Sequence, residues 1–334
     1  MTTNRYWKLN RYPEGNDFAS AFSLETSEIP TPRDGEVLIR NAYLSLDAGT
    51  RMWITPRTDS YHPPLPTGGP MVGLGLGRVV ASRHARVKEG QLVRCFGQWA
   101  DYSLVRPDDA SLHILDESVS DQRQYLGALG LNGWTALLGL RHVADVQAGE
   151  TVLVSAAAGA TGLLACQIAR TIGARVHGIA GSDEKCTFLR DRIGIDGEIN
   201  YKTSDVASEL GKIEGGINVF FDNVGGSILD AAFPHMAMHG RIVICGIIAA
   251  YASGGRTSGP SNFDQILMKR LKVQGFMCTD FLEMGEDLTA QLREWMDGGK
   301  ITMPFDETRG LENTLAAYSK LFTGRNIGKV IVRL

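Results

Sequence analysis

The sequence has few of the features that mark nucleic-acid-binding, membrane or secreted proteins. Its net charge is −3, and no run of Lys and Arg supplies the basic patch that binds nucleic acid. Its longest apolar runs, such as 242–250, are about half of the roughly 20 residues that cross a bilayer. The polar first residues lack the apolar stretch of a secretory signal. We therefore expect a cytoplasmic enzyme with no nucleic-acid or membrane partner.

The cysteines and histidines lack the spacing of a metal site. The five cysteines stand apart without a Cys-x-x-Cys pair, and the seven histidines are scattered. Structural zinc sites need closely spaced ligands, and disulfide frameworks belong mainly to short secreted chains with an even number of cysteines. We predict no metal site and no disulfide, and we expect buried, reduced thiols.

The rest of the sequence divides into two parts with different periodicity. Short alternating runs in the first part predict strands joined by turns, at 36–46, 77–80, 91–96 and 100–105. From about Gln124, strands alternate with helices, which predicts a parallel, doubly wound sheet. Helical spacing covers 126–140, with a loop expected at 131–134. The last run, 328–334, is predicted to be a lone strand that returns to the first part.

A glycine-rich motif between a predicted strand and a predicted helix indicates a dinucleotide site. In Ala156-x-x-Gly159-x-x-Gly162, the first residue makes a tight turn, the second lets the backbone approach the pyrophosphate, and the third lets the helix pack on the strand. Ala160 and Thr161 open the helix, whose amide groups bind phosphate. A helix cap without a ligand is the alternative, and the placement in a strand–helix–strand unit disfavours it.

The end of the second strand favours NADP over NAD. An NAD site places an acid there to bind the ribose diol, but Ala180 and Gly181 occupy this position. Ser182 and Lys185 follow, and a hydroxyl with an ammonium suits the 2′-phosphate of NADP. Ser182 is also expected to cap the next helix. Asp183 is the residue that argues against NADP.

Several motifs in order resemble one family over nearly the whole chain. The family is the zinc-independent branch of the medium-chain dehydrogenase/reductase superfamily that contains prostaglandin reductases, alkenal double-bond reductases and curcumin reductase-like proteins. The motifs lie at 129–136, 156–162, 181–185, 200–202, 221–226, 240–246 and 326–329. The resemblance implies an α/β protein with two domains, NADPH as cofactor and a homodimer. The domains would be a GroES-like catalytic domain at 1–124, joined by 298–334, and a Rossmann domain at 125–297.

The resemblance also assigns residues to the cofactor. Ser182 and Lys185 would meet the 2′-phosphate, and Tyr201 would pack near the adenosine. Asn223 and Asn326 would flank the ribose and nicotinamide. Three more cofactor residues are expected from the matched motifs, namely Thr135, near the cofactor between the domains, and Cys245 and Gly246.

The same comparison predicts chemistry without zinc. Zinc alcohol dehydrogenases carry Gly-His-Glu before Gly-x-Val, whereas 70–76 lacks both ligands. The predicted reaction is NADPH-dependent reduction of the C=C bond of an α,β-unsaturated ketone or aldehyde, with hydride delivered to the β-carbon. Tyr251 follows the end of a strand, and we expect its phenol to stabilise the enolate. The cofactor ribose hydroxyl, or a purely packing role for Tyr251, remains an alternative.

The substrate pocket is expected in the first domain. The family often shows Asp-Pro-Tyr-Met-Arg, whereas this chain has Asp-Ala-Gly-Thr-Arg at 47–51, which lacks the tyrosine and retains Arg51, a residue expected at the pocket. Trp53, Tyr61 and Trp99 could line an aromatic pocket for aryl or terpenoid enones, or each could belong to the core. The glycine-rich loop 252–260 is expected to be mobile and could close over the substrate.

Three other functions stay open from the sequence. A quinone reductase would use the same NADPH site. An NADPH-binding protein with little turnover would share the cofactor motifs. An alcohol dehydrogenase is disfavoured by the missing zinc ligands.

Overall fold

A computed structural model describes residues 3–251, 256 and 259–334. Contacts divide the chain into two compact units. The first unit comprises Met1–Leu126 and Phe305–Leu334, and the second comprises Gly127–Pro304. The domain bounds expected from the sequence stay a prediction.

The strands cover most of the first unit and alternate with helices in the second. In chain order they are β1 (Thr3–Leu9), β2 (Phe22–Glu28), β3 (Val37–Ser45), β4 (Val72–Ser82), β5 (Leu92–Gln98), β6 (Tyr102–Val105), β7 (His113–Ile114), β8 (Thr151–Val154), β9 (Arg175–Ala180), β10 (Gly197–Asn200), β11 (Ile217–Asp222), β12 (Met236–Ile244), β13 (Lys272–Gly275), β14 (Phe305–Arg309) and β15 (Lys329–Arg333).

The α-helices lie mainly in the second unit. They are α1 (Leu131–Leu138), α2 (Ala160–Ile172), α3 (Asp183–Phe188), α4 (Val206–Leu210), α5 (Gly226–Ala232), α6 (Ile248–Tyr251), α7 (Gln265–Lys269), α8 (Gly285–Asp297) and α9 (Thr314–Thr323). No helix in the described part of the chain is long and apolar enough to cross a membrane.

The second unit contains the predicted doubly wound sheet. Its strand order is β10-β9-β8-β11-β12-β13, and every pair is parallel. The central strands β8 and β11 are mainly apolar because both of their faces are covered, and Phe220 and Phe221 of β11 are fully buried. The α/β fold class is therefore confirmed.

The first unit is a β-rich body that the C-terminal tail completes. Its larger sheet has the order β14-β15-β3-β4-β5-β7, with β6 also paired to β3. The tail strand β15 runs antiparallel to β3, with Ile331 opposite Ser45. Its core includes Trp99, Tyr318 and Phe18, and the two phenyl rings of Phe18 and Tyr318 lie 4.8 Å apart between centroids. The expected return of the tail to a β-rich part is thus observed within this unit.

The loop expected at 131–134 is wrong, because these residues form the first turn of α1. Gly133 suggested a turn, but its role is a close contact. A Cβ at this position would lie 1.8 Å from the carbonyl oxygen of Ala128. Most of the loop 252–260 lies outside the described residues, so its expected closure is not addressed by the structure.

Candidate functional site

The order of the strands defines where the second unit binds a ligand. The chain runs outward from β8 to β9 and β10, and then returns to β11 on the other side of β8. Between β8 and β11 the loops leave the sheet in opposite directions. Ligands of doubly wound sheets bind at this switch point, outside the carboxyl ends of the strands. The motif that follows β8 therefore stands at the expected place for a dinucleotide.

The turn after β8 has the close geometry that the motif predicts. Ala156 has a left-handed backbone with φ +48°, which turns the chain tightly between β8 and α2. A Cβ at Gly162 would lie 2.3 Å from the carbonyl oxygen of Ala156. Only glycine at this position lets α2 approach β8 so closely. Gly159 caps α2, and Ala160 and Thr161 form its first turn, with the Thr161 hydroxyl accepting a hydrogen bond from Asn132 (3.0 Å).

A buried acid joins the ends of the central strands. Asp222 ends β11 and is fully buried, and its carboxylate accepts a hydrogen bond from the Ser155 hydroxyl after β8 (2.7 Å). The Asn223 backbone N–H donates to that hydroxyl (2.8 Å), and the Asn223 side-chain amide donates to the Ser155 carbonyl (2.7 Å). Asn223, which was expected at the cofactor, is therefore fixed at the switch point. Asp222 was not among the predicted site residues, although an acid that ends an apolar strand was a visible signal in the sequence.

The end of β9 places the proposed phosphate residues together. The Ser182 hydroxyl accepts a hydrogen bond from the Lys185 backbone N–H (3.3 Å), so Ser182 caps α3 as expected. Lys185 lies one turn into the helix with only 9% of its surface exposed. The Asp183 carboxylate accepts a hydrogen bond from the Asn200 side chain (2.7 Å). Asp183, the acid that argued against NADP, is therefore hydrogen-bonded to the last residue of β10.

Tyr201 lies beside the same strand end. A Cβ at Gly181 would lie 2.8 Å from the Tyr201 ring, so the ring packs directly on the Gly181 backbone. The ring is 43% exposed, which leaves surface for a further flat group to stack. Glycine at 181 is therefore needed for the place that Tyr201 takes.

Tyr251 is brought to the carboxyl end of β12. It ends the short helix α6 and is 8% exposed. A Cβ at Gly246 would lie 3.6 Å from the Tyr251 hydroxyl, so the phenol stands beside Gly246. The Cys245 and Gly246 backbone N–H groups donate to the Asp222 carbonyl (2.8 and 3.1 Å). Tyr251, Cys245 and Gly246 thus lie at the same edge of the sheet as Asn223.

The two remaining expected cofactor residues lie in different units. Thr135 is half-buried in α1 of the second unit, and its hydroxyl donates to the Leu131 carbonyl (2.6 Å). Asn326 is 6% exposed in the first unit, and its amide donates to the Gly328 carbonyl (3.2 Å). Their roles at the cofactor stay predictions.

An aromatic group lies on the first unit near the motif at 47–51. The rings of Trp53 and His62 stack with centroids 4.7 Å apart, and Phe96 meets Trp53 edge-on at 5.8 Å. The Tyr61 hydroxyl donates to the Gly49 carbonyl (3.0 Å), and a Cβ at Gly49 would lie 3.3 Å from it. The phenol of Tyr61 thus stands over the position where the family's motif carries tyrosine. His62 and Phe96 carried no sequence signal for this group.

Two expected pocket residues are placed elsewhere. Trp99 is fully buried, 5.1 Å from Tyr318 between ring centroids, so it belongs to the core of the first unit. Arg51 is 2% exposed, and its guanidinium donates to the carbonyls of Pro13 (3.0 Å) and Gly15 (2.9 Å). A buried guanidinium bonded to backbone carbonyls holds loops together. The structure therefore corrects the expectation that these two residues line the pocket.

The second unit fits a dinucleotide phosphate. Glycines stand where side chains would collide with the backbone or with Tyr201, and a nearly buried ammonium follows the β9 strand end. Over the described residues, no group of three or more His, Cys, Asp or Glu side chains is arranged to hold a metal ion. The residues that could bind a ligand here are those suited to phosphates and flat rings.

Two family models match the chain. A model described as the N-terminal domain of oxidoreductase matches residues 5–113, and a model described as zinc-binding dehydrogenase matches residues 160–297. Together with relatives that are 34% identical over 99% of the chain, these matches show that the chain belongs to the medium-chain dehydrogenase/reductase superfamily and is an oxidoreductase. The segment 70–76 contains neither His nor Glu.

Individual relatives place the chain in the predicted branch of that superfamily. It is 34% identical over 337 residues to the NADPH-dependent curcumin reductase of Escherichia coli (strain K12), with 99% of this chain and 97% of the relative covered. It is 34% identical to the NADP(+)-dependent 2-alkenal reductase of Nicotiana tabacum, with 99% and 97% covered. The crystal structure of CurA in complex with NADPH from Vibrio vulnificus matches with a TM-score of 0.92 and 37% identity, and 98% of each chain is covered.

Proposed function

We propose that this enzyme reduces the C=C bond of α,β-unsaturated ketones and aldehydes. The relatives that cover nearly the whole chain include curcumin and alkenal reductases, and this supports the proposal. The observation that carries it is the phenol of Tyr251 beside Gly246, at the strand ends where the cofactor binds. The cofactor is NADP. It supplies hydride to the β-carbon of the substrate when bound in its reduced form.

The residues of the second unit bind and orient the cofactor in this proposal. Ser182 and Lys185 bind the 2′-phosphate, because a hydroxyl and the ammonium of a nearly buried lysine suit a dianion. The amide groups at the start of α2 bind the pyrophosphate. Tyr201 stacks near the adenosine, and Asn223 orients the ribose and nicotinamide half of the cofactor.

Tyr251 acts where charge develops in the substrate. Hydride arrival at the β-carbon moves negative charge to the carbonyl oxygen. The Tyr251 hydroxyl donates a hydrogen bond to that oxygen and stabilises the enolate. A neutral phenol does this without a metal, and we propose that the reaction is independent of zinc.

The aromatic group of the first unit binds the substrate body in this proposal. Trp53 and Tyr61 present flat apolar surface, and Tyr61 is 54% exposed. Flat rings pack against aromatic side chains with favourable energy beyond the buried area. We therefore expect aryl enones to be better substrates than small polar ones.

The function is tested by following NADPH oxidation with an aryl enone, an alkenal, a quinone and a saturated ketone. We expect fast turnover of the enone and the alkenal, because their β-carbons accept hydride directly, and none of the saturated ketone. Turnover of the quinone alone would replace the proposal with quinone reduction. Binding of NADPH without turnover of any acceptor would favour a protein with little catalysis. Each assay is repeated after chelation and metal analysis, and loss of activity on zinc removal would contradict the zinc-independent mechanism.

Replacing Tyr251 with Phe removes the proposed donor and keeps the ring. We expect kcat for the aryl enone to fall about 10–100-fold, with the Kd for NADPH little changed, because the phenol acts on the substrate oxygen. Tyr102→Phe, a change on β6 in the first unit, is the control for loss of a phenol elsewhere. An unchanged kcat would assign the enolate to another donor, such as the cofactor ribose.

Replacing Lys185 with Ala removes the ammonium beside the proposed 2′-phosphate. We expect the Kd for NADPH to rise about 10–100-fold and the Kd for NADH to stay nearly constant, because only NADPH carries that phosphate. Fluorescence titration of each nucleotide measures both constants. Lys202→Ala removes an exposed ammonium two residues after β10 and serves as the matched control. Equal weakening of both nucleotides would refute the phosphate assignment.

We also propose a homodimer formed through the edge strand β13. All four of its residues are exposed, and an uncovered edge strand pairs readily with another strand. The neighbouring helix α7 exposes Leu267 (73%) and Met268 (55%), and Phe263 just before it is 66% exposed. A second copy related by a two-fold axis would cover this surface on both chains and close the assembly.

The dimer is tested by light scattering coupled to size exclusion. We expect twice the chain mass of 36.3 kDa, and a shift toward the monomer in Leu267→Arg, because a charge in the apolar contact is costly. Leu24→Arg on β2, at an exposed leucine outside this surface, should leave the mass unchanged. A monomeric parent protein, or a dimer indifferent to Leu267→Arg, would rule out this contact.

A further inference from the structure

Asp222 is a buried acid whose charge has no role in the reaction proposed above. It is fully buried at the end of β11. Its Oδ1 accepts hydrogen bonds from the Ser155 hydroxyl (2.7 Å) and the Val224 N–H (3.0 Å), and its Oδ2 accepts one from the Gly225 N–H (2.9 Å). No Lys or Arg of the described residues forms an ion pair with it. Its charge is therefore held by dipoles alone and is not cancelled by a cation.

The hydrogen bonds around Asp222 indicate the ionised form. The Ser155 hydroxyl accepts the Asn223 N–H (2.8 Å), so its own proton is directed to Asp222. Both carboxylate oxygens thus accept hydrogen bonds from donors, and an ionised carboxylate is the acceptor-only form. Burial raises the pKa of Asp222, and the bonds from Ser155, Val224 and Gly225 oppose that rise.

The position of Asp222 in the sheet relates this charge to one end of the cofactor. The turn after β8 and the end of β9 form the half that binds the adenosine side in a dinucleotide fold, and the other half is built on the strands beyond the switch point. Asp222 ends β11, the first strand of that second half. The nicotinamide therefore belongs on the side of the sheet that Asp222 terminates.

The charge of Asp222 already acts on a neighbour at this edge. Its backbone carbonyl binds the N–H groups of Cys245 and Gly246, which follow β12. Burial is the main cause that raises the pKa of the Cys245 thiol, and the charges of Cys278 and then Asp222 add to the same rise. Asp222 thus contacts the residues that follow the next strand of the sheet.

We propose that Asp222 tunes the balance between the two redox forms of the bound cofactor. The nicotinamide ring carries a positive charge in NADP⁺ and none in NADPH. Loss of hydride, two electrons with one proton, therefore creates a cation at this edge of the sheet. The buried anion of Asp222 stabilises that cation and leaves the neutral ring almost unaffected, because Coulomb energy is large where water is excluded. Asp222 thereby makes hydride donation from the bound cofactor easier, whichever acceptor is used.

A purely structural role for Asp222 predicts a different result. The network through Ser155 also orients Asn223 and the turn after β8, and loosening it would weaken both redox forms together. The ratio of the Kd for NADP⁺ to the Kd for NADPH distinguishes an effect of the Asp222 charge from an effect on the position of neighbouring residues. It is measured by titration without any substrate, so its outcome is independent of the proposed enone reduction.

The experiment compares the Kd for NADP⁺ with the Kd for NADPH in Asp222→Asn. We expect the ratio of Kd for NADP⁺ to Kd for NADPH to rise about three- to tenfold, because only the cation loses a partner. Asp222→Ser, a smaller neutral replacement whose hydroxyl can accept a backbone N–H, should raise the ratio in the same direction and covers the case in which the Asn variant fails to fold.

Two charge-preserving variants are the matched controls. Ser155→Ala keeps the carboxylate and removes a donor, so both constants should rise by a similar factor with the ratio unchanged. Asp222→Glu should also keep the ratio close to that of the parent protein. A ratio that stays constant in the neutral variants, or that moves equally in Ser155→Ala, would overturn the proposal and leave Asp222 with a structural role.

Discussion

The close contact between α2 and the end of β8 is the constraint on which the second unit depends. The Ala156 carbonyl occupies the space that a side chain at residue 162 would need. This contact requires glycine at 162 and a left-handed turn at 156, where φ is +48°. It aligns the start of α2 with the strand ends, so amide groups and the positive end of the helix dipole face the position that we propose for the pyrophosphate. The packing of α2 on β8 and the proposed binding of the pyrophosphate therefore both depend on this short distance between the helix and the turn after the strand.

The first unit uses two buried cations to hold a short 3₁₀ helix, Ala48–Met52. Lys329 of β15 is 1% exposed and forms an ion pair with Asp47 just before this helix. Arg51 near its end binds backbone carbonyls of the loop at 13–15. A buried cation without acceptors would be strongly destabilising, so these contacts define one position for the helix. The C-terminal strand thus helps to orient the segment that carries Gly49 and Trp53.

Local patterns in the sequence predicted much of the fold. The alternation of strands and helices after Gln124 predicted a parallel sheet, and the second strand was expected to end at Ala180–Gly181, where β9 ends. The edge strand β13 was not predicted, since all its residues are exposed and it lacks that apolar signal. The loop expected around Gly133 was wrong, because the sequence does not distinguish a glycine required for close packing from one required for a turn.

By itself the sequence determined the fold class, the strand–turn–helix of the cofactor site and the preference for NADP, because these depend on spacing within about twenty residues. Only the tertiary structure decided which distant side chains share a place. It placed Arg51 and Trp99 inside the first unit, set Tyr61 over Gly49, and joined Asp222 to Ser155 across 67 positions of sequence. Such contacts depend on how the strands are ordered and packed. The linear sequence shows that a residue is apolar or charged, but it does not show which distant residue that side chain will contact.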